Sequence, residues 1–209
     1  MKKIIESFKS FFKKDKIYTD NLITITSKNY LEYKNKLKNF EVIDGRLIIN
    51  DGVELELNKL KSCISITLYN NSTLCVNNII KINNINFEDG SNLIANNLKE
   101  CNHLHIYENT TFVNNNLEKI DIICLFEKSK IVLDNLLECS KIWVRNNCEM
   151  EEYLYNKFPN SEWFITDKST NFIINKDLPN AIYKLDGVEL NREDFINKYY
   201  NNTLVYKIK

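Results

Sequence analysis

The sequence predicts a mainly β fold: a short-repeat β-solenoid of about seven coils with a cap at each end. Three observations predict it. Apolar residues recur every 19 positions through the middle of the chain. Within each repeat they alternate with polar residues, which is strand periodicity. Amide and small polar residues recur at two fixed positions between the apolar ones, where turns are expected. The expected boundaries are 1–45 for an N-terminal helix and cap, 46–175 for the solenoid and 176–209 for a C-terminal cap.

The composition gives no support for nucleic-acid binding and does not indicate any other single function. The 209 residues suit one domain, and 28 Lys and Arg balance 28 Asp and Glu. A net charge of zero gives no electrostatic reason to expect a nucleic-acid partner. Abundant Asn, Ile and Lys with only 4 Gly and 2 Pro indicate the bias of an AT-rich genome, so the pattern of residues is more informative than their frequencies.

The first 18 residues have the pattern of an amphipathic helix. Two interpretations stay open for it: a membrane-surface helix, with peripheral contact through residues 1–17, or a cap over the first coil. The residues that would meet a membrane are Lys2, Lys3, Phe8, Phe11 and Phe12. A second helix is expected within Lys28–Asn39 and could share the capping role. No apolar run reaches the ~18 residues of a membrane span and no signal peptide is visible, so a cytoplasmic location is expected.

The repeat itself is defined by five positions that are apolar in five consecutive units. The five columns are Leu60, Ile79, Leu98, Leu117 and Leu136; Cys63, Ile82, Cys101, Ile120 and Cys139; Ile66, Ile85, Leu104, Ile123 and Ile142; Leu68, Phe87, Ile106, Leu125 and Val144; and Leu74, Leu93, Phe112, Ile131 and Met150. A partial unit begins near Leu47, and a looser one containing Trp163 follows an insertion around Pro159. Nineteen residues leave no room for a useful helix beside a strand and two turns. Each unit is therefore predicted to be one β-coil, stable only when stacked on its neighbours.

The C-terminal residues predict a small ββαβ unit. Ala181–Leu190 has the pattern of a hairpin around Asp186-Gly187. Asn191 follows as the predicted N-cap of a short helix, and Leu204–Ile208 alternates as a closing strand. Caps at both ends would block end-to-end polymerisation.

Cysteine and histidine positions give no support for a metal, a cofactor or an active site. Cys63, Cys101 and Cys139 fall on alternate rungs, ~9.6 Å apart by strand spacing, which is too far for a disulfide. They are predicted to be buried thiols. His103 and His105 would point outward together, and a metal site would need a third ligand such as Cys124 from the next rung. No catalytic motif occurs, so an enzyme is not expected.

The outward positions of the long strand instead predict a partner-binding surface. Early rungs carry polar residues there, whereas later rungs carry a half-apolar patch. The predicted patch consists of His103, His105, Ile122, Cys124, Lys141 and Trp143. Aromatic residues are favoured anchors at interfaces. The alternative is that the C-terminal unit or the Trp163-Phe164 rung folds over the patch.

The segment Cys101-x-x-Leu104-x-Ile106-x-x-Asn109-x-x-Phe112 resembles the conserved half of a leucine-rich repeat, and so do Cys63–Leu74 and Cys139–Met150. Gly90 and Lys128 replace the Asn in two other units. The resemblance implies binding through the sheet face. A second, weaker resemblance is to bactofilins, which have a β-helix of similar coil length and polymerise end to end.

Together these patterns favour a non-catalytic protein-binding or scaffold module that presents a rigid sheet face to a protein partner. The alternative is a bactofilin-like structural protein that self-associates or lies on a membrane surface. A β-helix enzyme or carbohydrate binder is the third interpretation; its site would need clustered acids on an outward face, and the sequence shows none.

Overall fold

The computed structural model describes residues 17–145, 149–150, 157–158, 161–166, 181–185, 188–195 and 197. It confirms a mainly β solenoid of about six turns with 19-residue spacing. Eleven strands form one broad sheet. They are β1 (Ile17–Tyr18), β2 (Leu22–Ile25), β3 (Val42–Ile49), β5 (Ser62–Leu68), β7 (Lys81–Phe87), β9 (Glu100–Ile106), β11 (Lys119–Leu125), β13 (Glu138–Arg145), β15 (Glu162–Thr166), β16 (Ala181–Leu185) and β17 (Val188–Leu190).

Each coil of the solenoid also contains a short strand, and the short strands form two three-stranded sheets. The first contains β4 (Glu54–Glu56), β6 (Thr73–Cys75) and β8 (Asn92–Ile94), and the second contains β10 (Thr111–Val113), β12 (Lys130–Val132) and β14 (Glu149–Met150). Six turns, from β3–β4 to β13–β14, contain both a long and a short strand. β15 adds a further rung to the broad sheet, so the structure agrees with the expected capped β-solenoid and describes about six turns of it.

The core lies between these sheets and is filled by the predicted apolar columns. Ile66, Ile85, Leu104, Ile123 and Ile142 are all fully buried, and neighbouring members face each other in parallel register. Side chains repeat at the same depth because the unit length is constant from turn to turn. Burial of a continuous apolar stack is the main source of stability in such an array.

In β5, β7, β9, β11 and β13 the third residue is skipped in the strand pairing, and we call this position the bend. The pairing between β9 and β11 skips Asn102 and Asp121, and the buried positions on either side of the skip are three residues apart instead of two. The thiol of Cys101 donates to the carbonyl of His103, 3.2 Å away, across this bend. Cys63 and Cys139 make the same contact to the residue two positions on. The cysteine column therefore supplies weak donors at the bend as well as apolar volume.

The cysteines themselves are free thiols in the described part of the chain. Burial raises the pKa of Cys63, Cys101 and Cys139 to about 12 in each case, so none of the three carries a thiolate at neutral pH. Cys63 and Cys101 are buried as expected, and Cys139 is partly buried.

The turns after β3, β5, β7, β9 and β11 each contain two consecutive residues with positive φ. These pairs are Asp51-Gly52, Asn70-Asn71, Asp89-Gly90, Glu108-Asn109 and Glu127-Lys128. Gly and Asn adopt this left-handed region at low cost, which explains why they recur at the predicted corner. Glu127 and Lys128 have no such advantage, so the same turn is strained in that rung.

Asparagine side chains connect successive rungs at the second corner. The Asn116 amide donates to the carbonyl of Asn96 at 2.7 Å. Asn78 and Asn135 make the equivalent contacts to Asn58 and Asn115. These bonds satisfy carbonyls that the turn removes from the strand ladder.

The N-terminal cap is partly as predicted. The proposed helix over the first 18 residues lies almost entirely outside the described residues, but its last two, Ile17–Tyr18, form β1 and pair with β3, so the helix prediction is wrong there. The second predicted helix is confirmed as α1 (Tyr30–Leu37). It connects β2 to β3 and buries Leu37 in the main core. Within the described residues, no helix is long and apolar enough to cross a membrane.

The C-terminal hairpin is confirmed and continues the broad sheet. β16 pairs in parallel with β15, and β17 then pairs antiparallel with β16. The Asn191 side chain accepts from the Asp194 backbone N–H at 2.8 Å, as predicted for an N-cap. Phe195 is buried beside Tyr183, with ring centroids 5.3 Å apart. The predicted closing strand at Leu204–Ile208 lies outside the described residues.

Candidate binding face

The six predicted surface residues lie together on the outward side of the broad sheet. His103, Ile122 and Lys141 are directly opposite one another on β9, β11 and β13. The next outward column on the same strands contains His105, Cys124 and Trp143. Parallel register therefore brings the six side chains into two columns that cross three rungs.

The six residues differ in how much surface they offer. Trp143 is 42% exposed and His103 is also exposed, whereas Ile122, His105 and Lys141 are half-buried. Cys124 departs from the solvent-facing position predicted for it, because it is only 5% exposed. Its small side chain lies between His105 and Trp143 in the column and is covered by its larger neighbours. Burial raises the pKa of this thiol to about 11.

The Trp163-Phe164 rung extends the face and does not cover Trp143. Trp163 points into the core, where its Nε1 donates to the carbonyl of Phe158 at 2.9 Å. Phe164 is directly opposite Trp143 on the neighbouring strand, and the two ring centroids are 4.8 Å apart. The exposed tryptophan is therefore supported from the side by a second aromatic ring.

A third column beside the face was missed by the sequence interpretation. Its first four members, Tyr69, Glu88, Tyr107 and Phe126, come directly after β5, β7, β9 and β11, and its fifth, Arg145, is the last residue of β13. The rings of Tyr107 and Phe126 are stacked, 4.6 Å apart and 4° from parallel. The Arg145 guanidinium lies over Phe126, 5.8 Å from its centroid. The column could have been found from the same 19-residue spacing, because its members are nine positions after the Leu60 column.

His105 joins this column to the predicted patch. Its Nδ1 is 3.3 Å from the Tyr107 hydroxyl, and the two rings are 6.2 Å apart. Burial lowers the pKa of His105, and the neighbouring His103 lowers it further. The imidazole is consequently neutral at pH 7 and behaves as part of the aromatic surface. We use the term aromatic face for the three columns with Phe164.

Lys141 is already engaged within the molecule. Its ammonium is 2.7 Å from the carboxylate of Glu162 on the next rung. Similar exposed pairs connect other adjacent rungs, namely Lys61 with Glu41, Lys81 with Glu100, Lys99 with Glu118 and Lys119 with Glu138. Exposed pairs of this kind contribute little to stability individually. Lys141 is therefore the one predicted face residue that already has a charged partner on the next described rung.

The small sheets form a second, less favourable surface. Pairing is interrupted between β8 and β10, and a shallow cleft of about 410 Å³ lies at the interruption. Exposed Ile94 and Val113 and several asparagines line it. The cleft contains no side chain that titrates near neutral pH, so it offers no acid, base or nucleophile for chemistry.

A metal site would need ligands that converge. Across the described segments, no three His, Cys, Asp or Glu side chains are grouped closely enough to hold a metal ion. The residues proposed for membrane contact, Lys2, Lys3, Phe8, Phe11 and Phe12, lie outside the described residues.

Comparison with known proteins adds no further assignment. No protein-family model, curated protein or solved structure matches this chain significantly.

Proposed function

We propose that the chain is a non-catalytic protein-binding module whose aromatic face contacts a protein partner. The observation that carries this proposal is the exposure of Trp143 within a column of a continuous, regular sheet. Exposed aromatic surface of this kind is uncommon in a monomer without an interaction role. Tryptophan, tyrosine and arginine are also the residues most often found as binding hot spots.

The aromatic side chains of the face are held in place by their neighbours, which favours tight binding. Trp143 is held against Phe164, and Phe126 is held between Tyr107 and Arg145. Side chains that are already ordered lose little conformational entropy when a partner covers them. The strands beneath are paired on both sides, so the face is presented on a rigid element.

The test begins with photo-cross-linking in cells of the natural host. A benzophenone amino acid at Ile122 reports on the aromatic face, and the same amino acid at Val113, 55% exposed on the small sheet, is the matched control. The proposal predicts a discrete protein adduct from position 122 that is missing from position 113. Equal adducts from both positions, or none from position 122, would contradict it.

The adduct is then rebuilt from purified components. Trp143→Ala should weaken binding of the identified partner by at least 30-fold, the effect of losing a hot-spot residue worth ~2 kcal/mol. Val113→Ala should leave the affinity unchanged. Unfolding curves of both variants must match the parent chain, so that lost binding reports on the face and not on the fold.

A further inference from the structure

A carboxylate is inserted between two tyrosines at one end of the aromatic face. Tyr69, Glu88 and Tyr107 occupy the same position on three consecutive rungs. The Glu88 N–H donates to the Leu68 carbonyl at 3.0 Å, and the Tyr107 N–H donates to the Phe87 carbonyl at 2.8 Å. The ladder thus continues through these residues and fixes Glu88 one strand spacing, ~4.8 Å, from each tyrosine.

This carboxylate is half-buried without a compensating cation. The Glu88 backbone N–H also lies 3.2 Å from the Ser91 Oγ, but among the residues that the structure describes no cation or hydrogen-bond donor reaches the Glu88 carboxylate. Burial and the neighbouring charge of Asp89 raise its pKa, and no described group lowers it. Burial raises the pKa values of Tyr69 and Tyr107, and the negative charge of Glu88 raises both further.

The turn beside this group adds further negative charge. Asp89, Glu108 and Glu127 occupy equivalent positions on successive rungs, and their mutual repulsion raises the pKa of Glu108. Lys128 and Arg145 lie two and three rungs beyond Glu88, towards the other end of the face. The rungs of Glu88 and Tyr107 therefore combine acidic and aromatic side chains.

The column that contains Tyr69, Glu88 and Tyr107 already holds one cation against an aromatic ring. At its other end, the Arg145 guanidinium lies over the Phe126 ring. Cations are attracted to the faces of aromatic rings, and the attraction grows when the site excludes water. Tyr69 and Tyr107 offer rings in equivalent positions, with a carboxylate between them that Phe126 lacks.

We propose that the Tyr69–Glu88–Tyr107 group binds a lysine or arginine side chain of a basic segment in the protein partner. The proposal rests on the function proposed above and specifies the chemistry of the partner. An extended segment matches the site because the acidic turn continues along the rungs beside it. Further basic residues of that segment would lie near Asp89 and Glu108.

The direct test uses a fluorescein-labelled octapeptide of alternating lysine and glycine, measured by fluorescence anisotropy in 50 mM salt. The peptide should bind the parent chain saturably, and Glu88→Gln should weaken binding at least tenfold. The matched control is Glu54→Gln, which removes the same charge from β4 on the small sheet and should leave affinity within twofold. Absence of saturable binding, or equal losses in both variants, would overturn the proposal.

Two further binding measurements define which class of cation the site binds. A peptide with every lysine acetylated should lose binding, because acetylation removes the cation and keeps the length. Tetramethylammonium should compete only at concentrations far above those of the peptide. If instead it binds as tightly as the octapeptide, the site takes a small organic cation and the assignment to a basic segment is wrong.

Failure of this proposal can be distinguished from failure of the proposed function. A Trp143-dependent partner that binds Glu88→Gln as tightly as the parent chain overturns only the basic-segment assignment. If the peptide binds through Glu88 but no partner depends on Trp143, the cation site is supported. The proposed role of the wider face is then contradicted.

Discussion

At the residue scale, two apolar side chains on the same sheet have opposite consequences for stability. Ile123 is completely buried in the core column of β11, whereas Trp143 is partly exposed on the outward side of β13. Ile123→Ala should lower the free energy of unfolding by about 3 kcal/mol, because it removes buried methyl groups and leaves a cavity. Trp143→Ala should lower it by less than about 1 kcal/mol. Urea titrations followed by circular dichroism measure both values, and a loss at Trp143 as large as at Ile123 would assign that residue to the core.

A second residue-scale prediction concerns two exposed glutamates with opposite pKa changes. Repulsion from Glu127 and Asp89 raises the pKa of Glu108, while the hydrogen bond and charge of Lys81 lower the pKa of Glu100. A carboxyl whose pKa is raised on folding contributes stability at low pH that is lost as pH rises through its folded-state pKa. A carboxyl whose pKa is lowered contributes stability that is lost as pH falls through its folded-state pKa.

Glu108→Gln should therefore raise the Tm at pH 7, and Glu100→Gln should lower it. Both differences should shrink between pH 7 and pH 3, as the parent carboxyls take up protons. Thermal melts of the three proteins at the two pH values provide the measurement. Shifts of the same sign at pH 7 would mean that local charge does not determine them. Added salt should reduce both shifts, since exposed charges are screened.

At the element scale, the turn between β11 and β12 is the least suited to its conformation. Glu127 has φ 44° and Lys128 has φ 62°, whereas the preceding turns place Asn or Gly at one or both positions. Replacing this pair with Asn-Gly should stabilise the chain by about 1 kcal/mol, because these residues enter the left-handed region more readily.

The opposite change in another turn provides the control. Gly90 has φ 71°, and a Cβ added there would approach the Asn71 Oδ1 to 2.7 Å. Gly90→Ala should consequently destabilise the chain. Midpoints of urea unfolding compare both variants with the parent chain. If the Asn-Gly variant is less stable than the parent, a contact of Glu127 or Lys128 outweighs the backbone cost.

The elements best predicted from sequence are those set by side-chain burial. The columns headed by Leu60 and Ile66 are buried in every unit as predicted, because a constant repeat length puts equivalent residues at equal depth. The hairpin at β16–β17 and the cap at Asn191 followed from local turn chemistry. The skipped pair at Asn102 was not predicted, because it depends on backbone hydrogen bonding, although the three-residue spacing between Cys101 and Leu104 marks its place in the sequence.

The candidate face was predicted in part for a related reason. Alternation identified Trp143 and His105 as outward, since two-residue periodicity applies within a strand. It gave no information on Tyr107 and Phe126, which follow the strand, where alternation ends. It also could not show that Cys124 is covered, because coverage depends on the size of neighbours on adjacent rungs.

At the scale of the whole molecule, the arrangement of the C-terminal strands bears on self-association. β17 runs antiparallel to β16 and follows a stack of parallel strands. A second copy could not continue the parallel ladder of the solenoid across this strand. We therefore predict a molar mass by light scattering that does not change with protein concentration. A mass that grows with concentration would instead favour the filament-forming alternative.

Of the surfaces of this solenoid, we propose that the aromatic face binds the protein partner. The measurement that tests it most directly is the ratio of partner dissociation constants for Trp143→Ala and Val113→Ala, two exposed apolar residues on different sheets. With both variants folded, we expect a ratio of at least 30. A ratio near one would contradict it.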